Sequence, residues 1–487
     1  MLTRTCSRRV GFSKWLAAGS SSLLMAGTAF AQEAAEVTAP AAAAPAAANS
    51  GNTAWILASA ALVLLMTPGL ALFYGGMVRA KNLLNMLMQS FVAMAVITVL
   101  WVLVGYSLSF AGSAPVFGTF EWVGLSGVGQ APDDFYATSI PHQLFMVYQM
   151  MFAIITPALI SGAVAERMKF SAYVIFMAIW SLVVYAPLAH MVWGEGGFLL
   201  GLGALDFAGG TVVHISSGIS ALVLAILLGK RKLSHNDDTR PHNLPMTLIG
   251  TGLLWFGWFG FNAGSAVAAD GIATNAFVVT QVAAASAALA WMLIEWVAFK
   301  KPTALGFATG AVAGLVAITP AAGFVGPLAA IVMGIGVSFL SFFAIKMKSK
   351  LGYDDTLDVF GVHCVGGIFG ALATGLFAQT SINAAAPNGL FFGGGAALLG
   401  KQAVGVLIAL AIGATMTFLI GSILKATIGI RATSEEEEVG LDLTLHGEEA
   451  YAGPTIAVQT TSRDAVGGGH GATSHASAGV VASEPVA

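Results

Sequence analysis

Charge is scarce in this chain: of its 487 residues 9% are Asp, Glu, Lys or Arg, while 57% are hydrophobic and the mean hydropathy is +0.81. That balance excludes an ordinary soluble domain. The 21 basic and 24 acidic residues leave a net charge of −3, so no basic surface remains for nucleic acid. Cysteine is scarcer still, with only Cys6 and Cys364, and a disulfide framework is excluded. Methionines such as Met86, Met88, Met150 and Met151 read as core filling. No metal site or cofactor is expected.

What is abundant is apolar sequence in long runs. Arg4, Arg8, Arg9 and Lys14 precede the run Trp15 to Phe30, and Ala29-Phe30-Ala31 closes it, so residues 1–31 read as a cleaved signal peptide. Residues 32–52, rich in Ala and Pro, form an exposed arm. Eleven spans of about twenty residues follow, over Thr53–Tyr74, Leu83–Tyr106, His142–Ala165, Ser171–His190, Gly209–Leu228, Pro245–Ala263, Ile272–Phe299, Thr303–Thr319, Val325–Ile345, Leu357–Phe377 and Leu398–Leu424. The expected fold is an all-α polytopic membrane protein, with the helices filling 53–425, a cytoplasmic regulatory tail over 426–454 and a low-complexity disordered end over 455–487.

Basic residues test the count. Arg79 and Lys81, Arg167 and Lys169, Lys230 to Lys232 with Arg240, Lys300 and Lys301, and Lys346 to Lys350 fall in alternate loops, which the positive-inside rule makes cytoplasmic. The N-terminus is then outside and the C-terminus inside; Lys401 alone falls on the wrong side. Gly306, Gly310 and Gly314 lay a small-residue stripe along the eighth span, read as packing.

Two stretches break the apolar pattern in parallel. Asp206-Phe-Ala-Gly-Gly-Thr-Val-Val-His214 is followed by Gly218-Ile219, and Asp358-Val-Phe-Gly-Val-His363 by Gly367-Ile368. Ionisable groups inside a membrane are costly and point to function. If Asp206 caps its helix, His214 lies about 12 Å deeper, near the midplane. The copies sit in spans 1–5 and 6–10, and because five is odd the halves are inverted; an in-plane axis brings His214 and His363 together mid-membrane, and the eleventh span is extra.

Aromatics supply the remaining pattern. Trp258, Phe261 and Ser265 share one face of the sixth span, with Phe261 about 6 Å below Ser265. Tyr148 and Phe152 repeat that order on the third span. Trp193 closes the fourth at the same outer level. Trp193, Tyr148 and Ser265 make a cup suited to a small cation, and Phe152 with Phe261 makes its floor. His142, His190, His446 and Glu295, near span ends or in the tail, are assigned no chemistry.

These motifs, with Gly257-Trp-Phe-Gly-Phe-Asn-Ala-Gly-Ser265, Gly440-Leu-Asp-Leu443 and His446-Gly-Glu448, resemble those of the Amt/Mep/Rh ammonium transporters over Thr53 to Pro454. The resemblance implies that Trp193, Tyr148 and Ser265 recruit ammonium with Asp206 as vestibule aspartate, that Phe152 and Phe261 gate the pore, and that His214 and His363 are the twin histidines; Trp258 and Asp358 support them. It implies a non-enzyme in the bacterial cytoplasmic membrane, in contact with lipid, a homotrimer, and a tail regulated with a cytosolic PII-type protein. Two departures stand out: the Glu195 turn is one residue longer than usual, and Tyr148 stands where Phe is also common. The alternatives are an ammonium sensor signalling through the tail, and a b-type cytochrome using the paired histidines for haem.

Overall fold

The computed structural model describes residues 47–232 and 239–451. The expected signal peptide, most of the arm and the low-complexity end lie outside them. Among the described residues all regular structure is helical. Ten helices of the described residues are long and apolar enough to cross a membrane: α1 Ser50–Met77, α2 Ala80–Phe110, α3 His142–Val164, α4 Phe170–Leu202, α5 Gly210–Leu228, α6 Leu244–Ala266, α7 Gly271–Phe299, α9 Pro327–Leu351, α10 Phe360–Phe377 and α11 Ala397–Thr427.

The eighth position is held by a shorter apolar helix, α8, Ala304–Ile318, of 15 residues. It rises only about 22 Å, less than the roughly 30 Å of a bilayer core. Turns from Thr319 to Val325 complete it, every residue buried. Irregular backbone survives at membrane depth only when protein surrounds it and its polar groups are paired. Phe324 N–H donates to Ala321 O at 2.8 Å and Val325 N–H to the same oxygen at 3.1 Å.

Side-chain caps define several helix starts. Asn49, Asn243, Asp270 and Thr303 each accept a backbone N–H from the first turn of α1, α6, α7 and α8. Glu295, on α7, adds to the last of these by accepting from Thr303 N and Oγ1 at 2.8 and 2.9 Å. The glycine stripe of α8 lies directly on α7: a Cβ at Gly310 would stand 2.6 Å from Trp291 Cβ, and one at Gly314 2.5 Å from Ala283 O. Helix α3 is buried on nearly every side, whereas Val99, Val297 and Leu407 are well exposed on α2, α7 and α11, as expected of helices around a central one with lipid outside.

The tail folds back. A capping box at Thr433 opens α12, Ser434–Val439. The Glu437 carboxylate receives Arg431 Nε and Nη2 at 2.5 and 2.9 Å. Beyond it Asp442 accepts the N–H groups of Leu84 and Asn85 at 2.9 and 2.8 Å, and Asn82 Oδ1 accepts Leu441 N–H at 2.9 Å. The tail thereby caps the start of α2, and further along it His446 Nε2 lies 3.1 Å from Asn85 Oδ1 and the Tyr451 hydroxyl 3.0 Å from His242 Nε2. We call this the tail face, and the opposite one, where α1 begins, the N-terminal face.

Candidate transport path

From the N-terminal face inward, the first group is the cup. Helix α4 breaks after Trp193, whose indole Nε1 donates to the Asp206 carbonyl at 2.9 Å. Ser265 lies in a tight 3₁₀ turn after α6, and its hydroxyl is 2.9 Å from Phe261 O. The Tyr148 hydroxyl is 2.9 and 3.0 Å from Gly260 O and Phe261 O and 3.2 Å from Ser265 Oγ. Ser265 and Trp193 are partly exposed, while Tyr148 is fully buried. The Ser265 hydroxyl proton goes to the protein, leaving oxygen lone pairs for a cationic N–H.

Directly below, the Phe152 and Phe261 rings lie 4.2 Å apart between centroids, at 33°, each 1% exposed. At that spacing nothing passes without a rotamer change. Beneath Phe261 the His214 ring lies 6.1 Å away, nearly parallel, and Trp258 flanks it at 5.5 Å.

His214 and His363 meet as the repeat requires: their Nδ1 atoms are 3.3 Å apart and their rings 5.3 Å, at 27°. Each sits in a π-helical turn that opens its helix, Gly210–Ile215 in α5 and Phe360–Cys364 in α10. Such turns recur at functional sites. The glycine one turn after each histidine explains the rest of the shared pattern. A Cβ at Gly218 would lie 2.3 Å from the Cys364 nitrogen, and one at Gly367 3.1 Å from His214 Cβ. Close crossing of the helices is what brings the imidazoles together.

The space beside the pair is small. A void of ≈ 10 Å³, lined by Leu70, Ile155, Trp258, Phe261, His214 and His363, has room for the centre of about one water-sized molecule. A second void of ≈ 50 Å³, lined by Phe73, Val312, Asp358, Val362 and His363, continues toward the tail face. His363 borders both.

Asp206 resolves into a cap. Its Oδ1 accepts Gly209 N and Gly210 N, both at 2.7 Å, and its Oδ2 accepts Thr211 N at 2.7 Å, Val212 N at 3.4 Å and the Thr211 hydroxyl. Those bonds occupy its acceptor sites. Its tie to the cup runs through its carbonyl, which holds Trp193.

The expected partner acid, Asp358, is corrected. It has φ +61° and pairs with Lys348 at 2.5 Å rather than capping α10. The structural counterpart of Asp206 is Asp355, which accepts Phe360 N–H at 2.7 Å. The spacing carries the signal: 214 − 206 and 363 − 355 both equal 8. Thr319 is a second missed residue. Its hydroxyl joins Trp258 Nε1 at 2.9 Å and His214 Nε2 at 3.4 Å, and periodicity offers no hint of that.

Burial, reinforced by the charge of Asp358, pushes the Asp355 carboxyl up to about 6 from an ordinary 3.8, against the opposing pull of Lys348. Its Oδ1 is buried without a hydrogen-bond partner. For an acid whose folded pKa is raised, the stabilisation is present below the unfolded value and is lost as pH rises through the folded one. The melting temperature of wild type minus that of Asp355→Asn should therefore fall as pH rises from about 4 to about 7. A difference that stays constant across a pH series of detergent-solubilised melts would show that folding does not raise the Asp355 pKa.

The fold and this axial arrangement define a multi-pass membrane protein with two small, largely apolar voids beside a buried histidine pair at its centre. The sequence profile of the Ammonium Transporter Family matches residues 54–451, and the chain belongs to that family. The ammonium transporter of Bacillus subtilis is 54% identical over 402 residues, covering 82% of this chain and 98% of that protein. That of Mycobacterium tuberculosis is 48% identical over 431 residues, covering 83% and 90%. Candida albicans Mep2 shares the fold with a TM-score of 0.76 at 36% identity, covering 83% and 90%. A structure described as a sensor Amt protein gives 0.74 at 30% identity, covering 81% and 98%.

Proposed function

We propose that the protein carries ammonium nitrogen across the bacterial cytoplasmic membrane, capturing ammonium in the outer cup and passing ammonia along the histidine-lined void. The N-terminal face is then outside, and the basic loops and tail are cytoplasmic. The observation that carries this reading is the pair of imidazoles 3.3 Å apart beside an apolar-lined void with room for about one small molecule, behind the close-packed rings of Phe152 and Phe261.

Ammonium and potassium are alike in size, so diameter cannot separate them. Hydrogen bonding and loss of a proton can. In the cup, Trp193 offers a ring face and Ser265 an acceptor. Past the gate the apolar wall penalises any ion by roughly 3 kcal/mol even on lenient scales. Ammonium meets that penalty by giving up its proton to water at the partly exposed cup; potassium has no such route.

The experiment is ammonium uptake into proteoliposomes, with Trp193→Leu and Ser265→Ala beside wild type. Each should weaken capture by about 0.5 to 2 kcal/mol, a few-fold to about thirtyfold in half-saturation. Unchanged saturation in both variants across a pH series would remove the cup, and absence of uptake by wild type would remove transport itself.

Three further proposals follow from family membership. The protein assembles as a homotrimer with one path per subunit, which its mass in native detergent or nanodiscs tests. A cytosolic PII-type protein acts on the docked tail; failure of that protein to bind under both nitrogen excess and limitation would remove it. The tail's role is regulation of transport rather than a sensor's output, since relatives described as transporters reach 54% identity and the sensor-described structure 30%. The ≈ 10 Å³ void beside the pair, with room for about one water-sized molecule, does not favour the haem reading.

A further inference from the structure

We infer that Thr319 fixes the order of protons along the histidine pair, so that the pair offers the path a single basic nitrogen, Nε2 of His363. The inference follows from counting donors around one hydroxyl. A threonine oxygen has one hydrogen to give and two lone pairs to receive. Trp258 Nε1 is a donor only, and at 2.9 Å it takes one lone pair. The Leu315 carbonyl is an acceptor only, and at 2.7 Å it takes the hydrogen.

That carbonyl is available because the last turn of α8 tightens, with Thr319 N–H donating to Val316 O at 3.3 Å instead. One lone pair is left on Thr319, and His214 Nε2 faces it at 3.4 Å. Both residues are almost wholly buried, at 0% and 1% exposure. A bare Nε2 there would set lone pair against lone pair at a buried contact, and a buried polar group without a hydrogen bond is costly. His214 therefore carries its hydrogen on Nε2.

The rest is forced for a neutral pair. His214 Nδ1 is bare, and His363 Nδ1, 3.3 Å from it, must be the donor. His363 Nε2 is left bare, on the ring that borders both voids. An ammonia N–H can be accepted there and not at His214. A proton arriving at His363 Nε2 can be passed by His363 Nδ1 to His214 Nδ1, but it stops there, because the Thr319 hydrogen is committed to Leu315. Thr319 is thus a positioning residue: it acts through the histidines and blocks the relay toward the cup.

The order of protons can be read directly by nitrogen NMR of histidine-labelled protein in bilayers, with His214→Asn and His363→Asn used to assign signals. Wild type and Thr319→Ser should both show His214 protonated at Nε2 and His363 at Nδ1. Thr319→Val removes the acceptor, so a bare-nitrogen signal for His214 Nε2 should emerge beside the protonated one. The inference is overturned if wild type shows the reverse order, or if Thr319→Val keeps the wild-type pattern. Should the valine variant fail to fold, the wild-type and serine spectra alone decide. Only the role given to His363 Nε2 rests on the transport reading: wild type without ammonium flux but with this proton order would overturn that reading and leave the assignment standing.

Discussion

Gly218→Ala is expected to reduce ammonium flux on the order of tenfold or more per folded molecule, the scale on which an ångström of misplacement acts at reacting centres. The added methyl would stand 2.3 Å from the Cys364 nitrogen and 2.7 Å from its Cα. Backbone atoms cannot swing aside as the end of a side chain can, so α5 and α10 must separate. Overpacking of this kind costs about 1 to 3 kcal/mol. The larger consequence is functional, because that crossing holds the imidazoles 3.3 Å apart. Gly252→Ala on α6 is the matched control, since its methyl would meet nothing within 4 Å. Flux at equal folded protein, checked by size-exclusion profile, decides; full flux in Gly218→Ala would mean the close crossing does not set the path.

The same crossing shows why so much of the site was legible. His-x-x-x-Gly-Ile occurs twice because each glycine must admit the other copy's backbone, so a packing constraint is written as a motif. The gate and cup were legible because antiparallel helices repeat a one-turn offset: Tyr148 above Phe152, and Ser265 above Phe261. The partner acid was misread because Asp358 lies closer to His363 in sequence. Its positive φ turns it to Lys348, and the eight-residue spacing that marks Asp355 was the better guide.

Thr319 was illegible for a different reason. Its role comes from a tightened turn at the end of α8, where the Leu315 carbonyl becomes free for a side chain. No local pattern announces which polar residue at a helix end will meet an aromatic from α6 and a histidine from α5. The shortness of α8 was hidden similarly, because the buried turns after it are as apolar as a helix. His190, given no chemistry, is not solvated: its ring nitrogens lie 3.1 Å from Ser109 O and 2.5 Å from Ala114 O, which ties α4 to the end of α2 and the loop after it.

Replacing His363 with glutamate should turn a path selective for ammonia into one that leaks potassium. Two neutral imidazoles supply hydrogen bonds and no net charge, so a bare cation beside them keeps most of the roughly 3 kcal/mol penalty of the membrane interior. That penalty is worth about a hundredfold in occupancy. A carboxylate would attract a counter-cation and the water to solvate it, offsetting the term that excludes potassium. If the histidines serve only to pack α5 against α10, the substitution should instead lower folded protein and ammonium flux together, with selectivity unaltered.

The most direct test of the central claim is therefore to compare equal amounts of folded wild type and His363→Glu, first for ammonium uptake into proteoliposomes and then for potassium current in bilayers. Conduction of neutral ammonia past the twin histidines predicts a wild type that takes up ammonium nitrogen and is silent in potassium, and a variant that carries potassium current. A variant that folds, still transports ammonium and still excludes potassium would contradict it.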